Sequence, residues 1–281
     1  MGRSLRITTL VEDTAGPRRL LGEHGLAFWI DMGSQRILFD AGQGCVIMGN
    51  ARELDIRLET ADKIVVSHGH DDHVGGLPDV LQLARQSRVY AHPVAFEPKY
   101  SRHDDGTIRY IGIPPQNGTK PCDNARELIL TDEPVAIGDG IFITGEIPRL
   151  TDFEDTGGSY FLDEACQRPD IILDDQALFF ECAKGIVVLL GCANAGVVNT
   201  LAHVTQLTDG KPIHAVVGGM HLLKASKKRI ERTVAALREI EVKRLGLAHC
   251  TGMDAAATFW SAFSERCFLC PVGTTMEFAR N

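Results

Sequence analysis

The stretch Ser67-His68-Gly69-His70-Asp71-Asp72-His73-Val74-Gly75-Gly76-Leu77 sets three imidazoles and two carboxylates within six positions. Such a set cannot all point into an apolar core, because each group would need its own polar partner. Gathered around a divalent cation, the groups satisfy one another. Neutral imidazole and carboxylate are ligands that Zn²⁺ and Fe²⁺ accept. The cluster follows the apolar run Ile64-Val65-Val66, which reads as a short buried strand. In an extended segment leaving that strand, His68 and His70 are two apart and point the same way. Asp72 and His73 come next, and Gly75-Gly76 lets the chain turn into a helix expected over residues 77–86. Two adjacent ligand sets result, His68/His70 and Asp72/His73, spaced to hold two metals about 3.5–4 Å apart. A His-rich surface loop is the competing reading, but the stretch has no low-complexity character.

The remaining elements must bring further groups to this loop. Residues 6–11, 27–31 and 36–40 read as a β-meander. Asp40, in Phe39-Asp40-Ala41-Gly42, ends the third of these strands. There its carboxylate either orients a metal-bound histidine from behind or caps a turn. His24 either lies in a surface loop or reaches over the site. A helix is expected over 46–58 and a strand over 89–92, with His92 read as a structural or surface residue. Residues 97–124 mix Tyr100, Arg102, His103, Arg109 and Tyr110 with Gly, Asp and Pro. They form either a solvated loop or a small lid, in which Arg109 would suit an anionic or aromatic substrate. Glu146, near the place where a further ligand is needed, is an oxygen-ligand candidate. Beyond it, the apolar run 185–190 ends at Gly191-Cys192-Ala193-Asn194, the run 213–217 at Gly218-Gly219-Met220-His221, and the run 245–248 at His249-Cys250-Thr251-Gly252. Helices are expected over 197–207, 230–240 and 255–263. Three successive strands thus end on Asn194, His221 and His249, and sites on α/β scaffolds gather at strand ends. His249 is a further metal ligand on this reading, with a capping or core histidine as the alternative, and His221 is a ligand, a substrate contact or a satisfied structural histidine.

Length and composition bound the function. The chain has 281 residues, 44% of them hydrophobic, which is enough for one large α/β domain or two small ones. A net charge of −8 argues against a nucleic-acid backbone as partner. Lys224, Lys227, Lys228 and Arg229 form a local basic patch that suits a phosphate group. No apolar run reaches the length of a membrane span, and no apolar signal core follows the N-terminus, so the protein reads as cytoplasmic. Eight scattered cysteines suit a reducing compartment. Cys267-Phe268-Leu269-Cys270 is a lone CxxC without a partner pair and reads as packing.

The His-x-His-x-Asp-His arrangement resembles the signature of the metallo-β-lactamase fold superfamily. With Glu23-His24-Gly25-Leu26, Phe39-Asp40-Ala41-Gly42, Gly191-Cys192, Gly218-Gly219-Met220-His221-Leu222 and His249-Cys250-Thr251-Gly252, it is similar to one branch of that superfamily. This is the branch that contains the archaeal 7,8-dihydropterin-6-methyl-4-(β-D-ribofuranosyl)-aminobenzene-5'-phosphate synthase. The resemblance implies a single αβ/βα sandwich over residues 1–281, with a lid insertion at 97–124. It implies one or two divalent ions (Zn or Fe, with Mn as a third choice) held by His68, His70, Asp72, His73 and His249. His221 and Asn194 are further candidate ligands, and Asp40 and Asp71 lie behind the ligands. Asp72 and His249 are the implied catalytic groups, and His24, His221 and Arg109 the implied substrate contacts. The implied substrate is a small phosphorylated or pterin-like molecule, undergoing hydrolysis or condensation by metal-activated water or carbonyl polarisation. The branch usually has Gly-Cys-Ser-His where this chain has Gly191-Cys192-Ala193-Asn194, so one histidine ligand is replaced by an amide. A mono- or di-iron redox protein, and a metal-binding module with a degraded second metal position, are the alternative readings.

Overall fold

The computed structural model describes residues 4–17, 19–114 and 122–280. Two seven-stranded sheets dominate it. In the first, the spatial order is Thr275–Ala279, Ser4–Val11, Ala27–Asp31, Arg36–Phe39, Lys63–Val65, Arg88–Ala91 and Glu127–Leu130. The second runs Cys267–Leu269, Arg244–Ala248, Ile213–Gly219, Gly185–Leu190, Leu178–Cys182, Ile141–Ile143 and Val135–Gly138. The sheets face one another across a core that includes Leu5, Phe28, Phe39, Val65, Phe180, Val187, Val217 and Phe278. Helices Ile47–Glu53 and Leu77–Leu83 cover the outer face of the first sheet. Helices Val197–Leu207, Lys227–Glu239 and Met253–Phe263 cover the second. The architecture is therefore the expected four-layer αβ/βα sandwich.

Local chemistry explains these elements. Gly185–Leu190 is buried along nearly its whole length, as a strand covered on both faces must be. The edge strand Thr275–Ala279 alternates exposed and buried residues, the period of a half-solvated strand. The last long helix pair begins at Lys227, three residues earlier than expected from the apolar face, because the Ser226 hydroxyl caps it by accepting from Arg229 N–H at 3.2 Å. The helix expected over 46–58 stops at Glu53, and Asp55 follows in the left-handed region at φ 54°.

The parallel strands of both sheets end at the same edge of the sandwich. Asp40 follows Arg36–Phe39 and His68 follows Lys63–Val65. Cys192, His221 and His249 follow Gly185–Leu190, Ile213–Gly219 and Arg244–Ala248. Asp40, Ala193, His221 and His249 all take left-handed backbone, at φ 61°, 51°, 50° and 48°. Each strand thus turns sharply where a chemical group is delivered.

The 68–73 loop is clamped from beneath. Gly69 N–H donates to Asp174 Oδ2 at 2.7 Å. Lys99, only 1% exposed, binds Asp170 Oδ2 at 2.9 Å and Asp174 Oδ1 at 3.1 Å. A Cβ on Gly69 would lie 1.9 Å from the carbonyl oxygen of Ala95. Part of the expected lid, Tyr100–Arg102 and Ile108–Tyr110, pairs with Tyr160–Phe161 in a three-stranded sheet. Residues 115–121 of that stretch lie outside the described residues.

Two outcomes follow for the clamp. Lys99→Met strands two buried carboxylates without their cation and lowers stability by about 3–5 kcal/mol, read by denaturant unfolding. Gly69→Ala forces the loop off the 93–96 turn and lowers the thermal midpoint by several degrees; an unchanged midpoint would remove the clamp from the account.

Candidate metal centre

His68 Nε2 and His70 Nδ1 face each other at 3.1 Å. Two nitrogens on one tetrahedral Zn²⁺, with bonds of about 2.0–2.1 Å, stand about 3.3–3.4 Å apart, so the pair is close to ligand spacing. The other nitrogen of His68 is held by the Ser67 hydroxyl at 3.0 Å. Asp72 and His73 project from the helical turn Asp71–Val74. His73 Nδ1–H donates to Asp40 Oδ2 at 2.7 Å, which turns its Nε2 toward Asp72 and toward Cys192 Sγ at 3.3 Å. Asp40 also accepts from the Ser67 amide and hydroxyl, both at 2.7 Å. His249 repeats the arrangement. Its Nδ1–H donates to Asp13 Oδ1 at 2.7 Å, its amide to Glu12 Oε1 at 2.7 Å, and its Nε2 lies 3.2 Å from Asp72 Oδ2. Two donor groups result, His68/His70/Asp72 and Asp72/His73/Cys192/His249, each with its ligand atoms within 4.8 Å of one another. Asp72 belongs to both.

The electrostatics divide the imidazoles. Burial pushes His68 well below the ordinary histidine value, and pushes His70 down to about 3. Both are neutral, the form that binds metal. Burial also disfavours charge on His73, but Asp72 and Asp40 outweigh it and raise the imidazole. His249 rises well above its usual value because the acceptor carboxylates of Asp13 and Asp72 overcome burial. Burial alone would raise Asp72, yet His73 and His249 hold it well below the carboxylate range.

Asn194 stands fully buried beside this set. Its Nδ2 points to Asp175 Oδ1 at 3.5 Å, and Asp175 Oδ2 accepts from the Ala195 amide at 2.7 Å. Burial raises the Asp175 carboxyl to about 6. The amide oxygen of Asn194 is left facing inward. It is one of four buried atoms in the same cavity wall with no hydrogen-bond partner: His70 Nε2, Asn194 Oδ1, His221 Nδ1 and His249 Nε2. Buried polar atoms are nearly always paired in native proteins. Lone pairs aimed at a shared space are what a cation would satisfy, so the residues present fit a divalent metal.

The cavity over these groups measures about 180 Å³ and is lined by His24, His70, Asp72, Tyr160, Cys192, Asn194, His221, Lys224, His249 and Cys250 among others. It adjoins a wider one of about 330 Å³ that adds Asp71, Arg102, His103 and Arg109. His24 lies over His249, with ring centroids 4.8 Å apart, and its Nε2 is 3.5 Å from Asp72. Asp71 does not support a histidine; it pairs with Arg109 at the wall of the wider cavity. His221 Nε2–H donates to the Thr156 carbonyl at 2.8 Å. Glu146 is exposed, in a bend beyond the strand Ile141–Ile143, and lines neither cavity, which removes it as a ligand. His92 is buried and accepts from Val94 N–H, closing a turn. The basic patch also changes, since Arg229 is 4% exposed and turned inward onto Asp155 at 2.6 Å. Cys267 and Cys270 pack into opposite faces of the second sheet, with no metal role. Tyr160, whose ring lies 5.0 Å from His70, escaped the sequence reading, as did Asp13, Lys99, Asp174, Asp175 and the pair Cys192 and Cys250. Cys192 and Cys250 stand in motifs of the sequence without reading as donors there, and the others carry no local motif.

Comparisons with known proteins agree with this geometry. Residues 21–157 match the family described as the metallo-beta-lactamase superfamily. The 7,8-dihydropterin-6-methyl-4-(beta-D-ribofuranosyl)-aminobenzene-5'-phosphate synthase of Methanocaldococcus jannaschii is 31% identical over 93% of this chain and 92% of its own. An uncharacterised protein of the same organism is 32% identical over 89% of this chain and 91% of its own. A crystal structure titled as a metal-dependent hydrolase of the beta-lactamase superfamily superposes with a TM-score of 0.84 at 30% identity, covering 98% of this chain and 99% of that one. With paired carboxylate-backed imidazoles at the edge of an αβ/βα sandwich and full-length relatives of this kind, the chain belongs to the metallo-β-lactamase superfamily.

Proposed function

We propose that this superfamily enzyme holds one or two divalent ions, Zn²⁺ or Fe²⁺, at the 68–73 loop and acts on a small phosphorylated or pterin-like substrate. The observation that carries the reading is the convergence of unpartnered buried donor atoms on one cavity. His68 Nε2, a ring nitrogen of His70 and the Asn194 oxygen would hold one ion, and His73 Nε2 and His249 Nε2 the other, with Asp72 within reach of both sets. The bound metal supplies Lewis acidity toward a carbonyl or phosphoryl oxygen and makes water a stronger acid.

The chain's own groups do the rest. Asp40 and Asp13 hold His73 and His249 in the tautomer that presents Nε2 to the cavity. Arg102 and Lys224 at the wider cavity suit a phosphate, and Tyr160 offers an aromatic face for a ring. Lys224 makes no ion pair among the described residues, which leaves it available to an anion. The full-length relative is named as a synthase of a phosphorylated dihydropterin compound, and this supports the substrate class. Asn194 makes the first position the weaker one, because a neutral amide oxygen is a poorer ligand than imidazole.

Three outcomes test the reading. Asp72→Ala, which removes the shared carboxylate, drops the metal content of anaerobically purified protein toward zero and turnover by at least about a hundredfold. Retention of two equivalents would sink the assignment. Asn194→His raises the content toward two equivalents and tightens the weaker position by roughly tenfold or more, since Asp175 already stands where it would orient the new imidazole. The third concerns pH. His73 and His249 are raised in the fold, so their contribution is complete below about 6.5 and is lost as pH climbs through their folded values. His68 and His70 are depressed, so stability falls as pH drops below about 6.5 and the unfolded chain protonates. Metal-free protein therefore has its highest melting temperature near about pH 6.5. Adding metal flattens the alkaline side, because the ion replaces the protons of His73 and His249. A scan of chelator-treated and reloaded protein from acid to alkaline buffer reads both.

A further inference from the structure

Three side chains on the floor of the cavity are not used by this reading as a set: Cys192, His221 and Cys250. Their ligand atoms all lie within 4.8 Å of one another. Both thiols are free and buried. His221 donates its Nε2–H to the Thr156 carbonyl at 2.8 Å, so its Nδ1 carries a bare lone pair, and that atom is buried without a partner. Cys250 Sγ accepts the His221 amide at 3.3 Å and sits 3.5 Å from the Cys192 carbonyl oxygen.

The surroundings are shaped for these three groups. A Cβ on Gly219 would lie 2.6 Å from Cys250 Sγ, and a Cβ on Gly157 would lie 2.3 Å from His221 Nε2. Only glycine leaves room for the sulfur on one side and the ring on the other. The loop that orients His221 is itself anchored: Asp155 accepts from Arg229 through its carboxylate and its carbonyl, and Gly157 N–H donates to Asp155 at 2.9 Å.

We propose that Cys192, His221 and Cys250 form a second, sulfur-rich cation site, adjoining the imidazole–carboxylate set at Cys192, for a soft ion such as Zn²⁺, Cd²⁺ or Cu⁺. Bonds of about 2.3 Å to sulfur and 2.0–2.1 Å to nitrogen put tetrahedral S···S and S···N separations near 3.8 and 3.5 Å. Atoms already within 4.8 Å need to close in by only about 1 Å. A divalent ion enters as two thiol protons leave to solvent, forming two metal–sulfur bonds and one metal–nitrogen bond, with a fourth position facing the cavity. Thiolate ligands select soft ions, whereas the neighbouring imidazole–carboxylate set also accepts harder ones such as Mn²⁺. The same cavity thus sorts ions by chemistry from one wall to the other.

Cadmium NMR on reduced, chelator-stripped full-length protein decides this without any substitution. The expected result is a strongly deshielded resonance from sulfur coordination beside a second one from nitrogen and oxygen ligands. Ultraviolet titration with Cd²⁺ gives the matching thiolate charge-transfer band. Cys250→Ser and Cys192→Ser each halve the band, and His221→Ala weakens the sulfur site by about tenfold or more while the band survives at saturation. A nitrogen–oxygen resonance alone would overturn the sulfur site and leave the proposed enzyme intact. A sulfur resonance alone would support the site and count against the enzyme reading. A band that persists in the doubly substituted protein would assign it to other cysteines and end the proposal.

Discussion

Everything at this edge of the molecule depends on holding imidazole, amide and carboxylate groups close together out of water. His68 and His70 present ring nitrogens to each other at 3.1 Å, and His73, His249, Asn194 and His221 aim at the same space. Such groups cannot satisfy one another by hydrogen bonding alone. Left to relax, they would swing outward to solvent. The fold prevents this by tying the far side of nearly every group: Ser67 behind His68, Asp40 behind His73, Asp13 behind His249, Thr156 behind His221 and Asp175 behind Asn194. The outer partners are ordinary hydrogen bonds, each worth about a kilocalorie or so net. Their collective effect is to remove the rotamers by which the donors could escape.

The two sheets make this possible because their parallel strands end at one edge. The left-handed residues there each cost on the order of a kilocalorie, a strain that persists only where neighbouring structure over-determines it. Extended packing on both faces of strands such as Gly185–Leu190 supplies that rigidity. Donor character then changes across the cavity, from imidazole and carboxylate at the 68–73 loop to sulfur at Cys192 and Cys250. Asn194 sits where the two regimes meet. Its amide oxygen is a poorer donor than an imidazole nitrogen, and its Nδ2 points to the Asp175 carboxylate.

The sequence announced most of the site because its groups are dense and local. His68, His70, Asp72 and His73 share one short stretch, and Asn194, His221 and His249 each follow an apolar run, so periodicity alone exposed them. What escaped is what only the tertiary fold assembles. Asp13 is a loop residue with no motif, yet it stands 2.7 Å from His249, far along the chain. Lys99 comes from the stretch read as loop or lid, Asp170 and Asp174 from a part of the chain without a motif, and their burial reverses the usual expectation for charged residues. Cys192 and Cys250 looked like small core hydrophobes, which each is when taken alone; only their proximity to His221 makes them a set. Glu146 failed for the opposite reason, since its position in the chain suggested a ligand while its side chain is exposed to solvent away from both cavities.

The strands Ser4–Val11 and Thr275–Ala279 are hydrogen-bonded neighbours in one sheet. The beginning and the end of the chain are thus knitted together beside the cavity, and the same closure brings Glu12 and Asp13 to His249. Residues 68–73 and their counterparts at 192, 221 and 249 lie far apart in the sequence and on different sheets. The donor groups meet only once both sheets have formed and Glu12 and Asp13 have reached His249. Contacts of such long sequence separation form late and slowly. The complete donor set is thus a late product of folding, whatever the 68–73 loop has already formed.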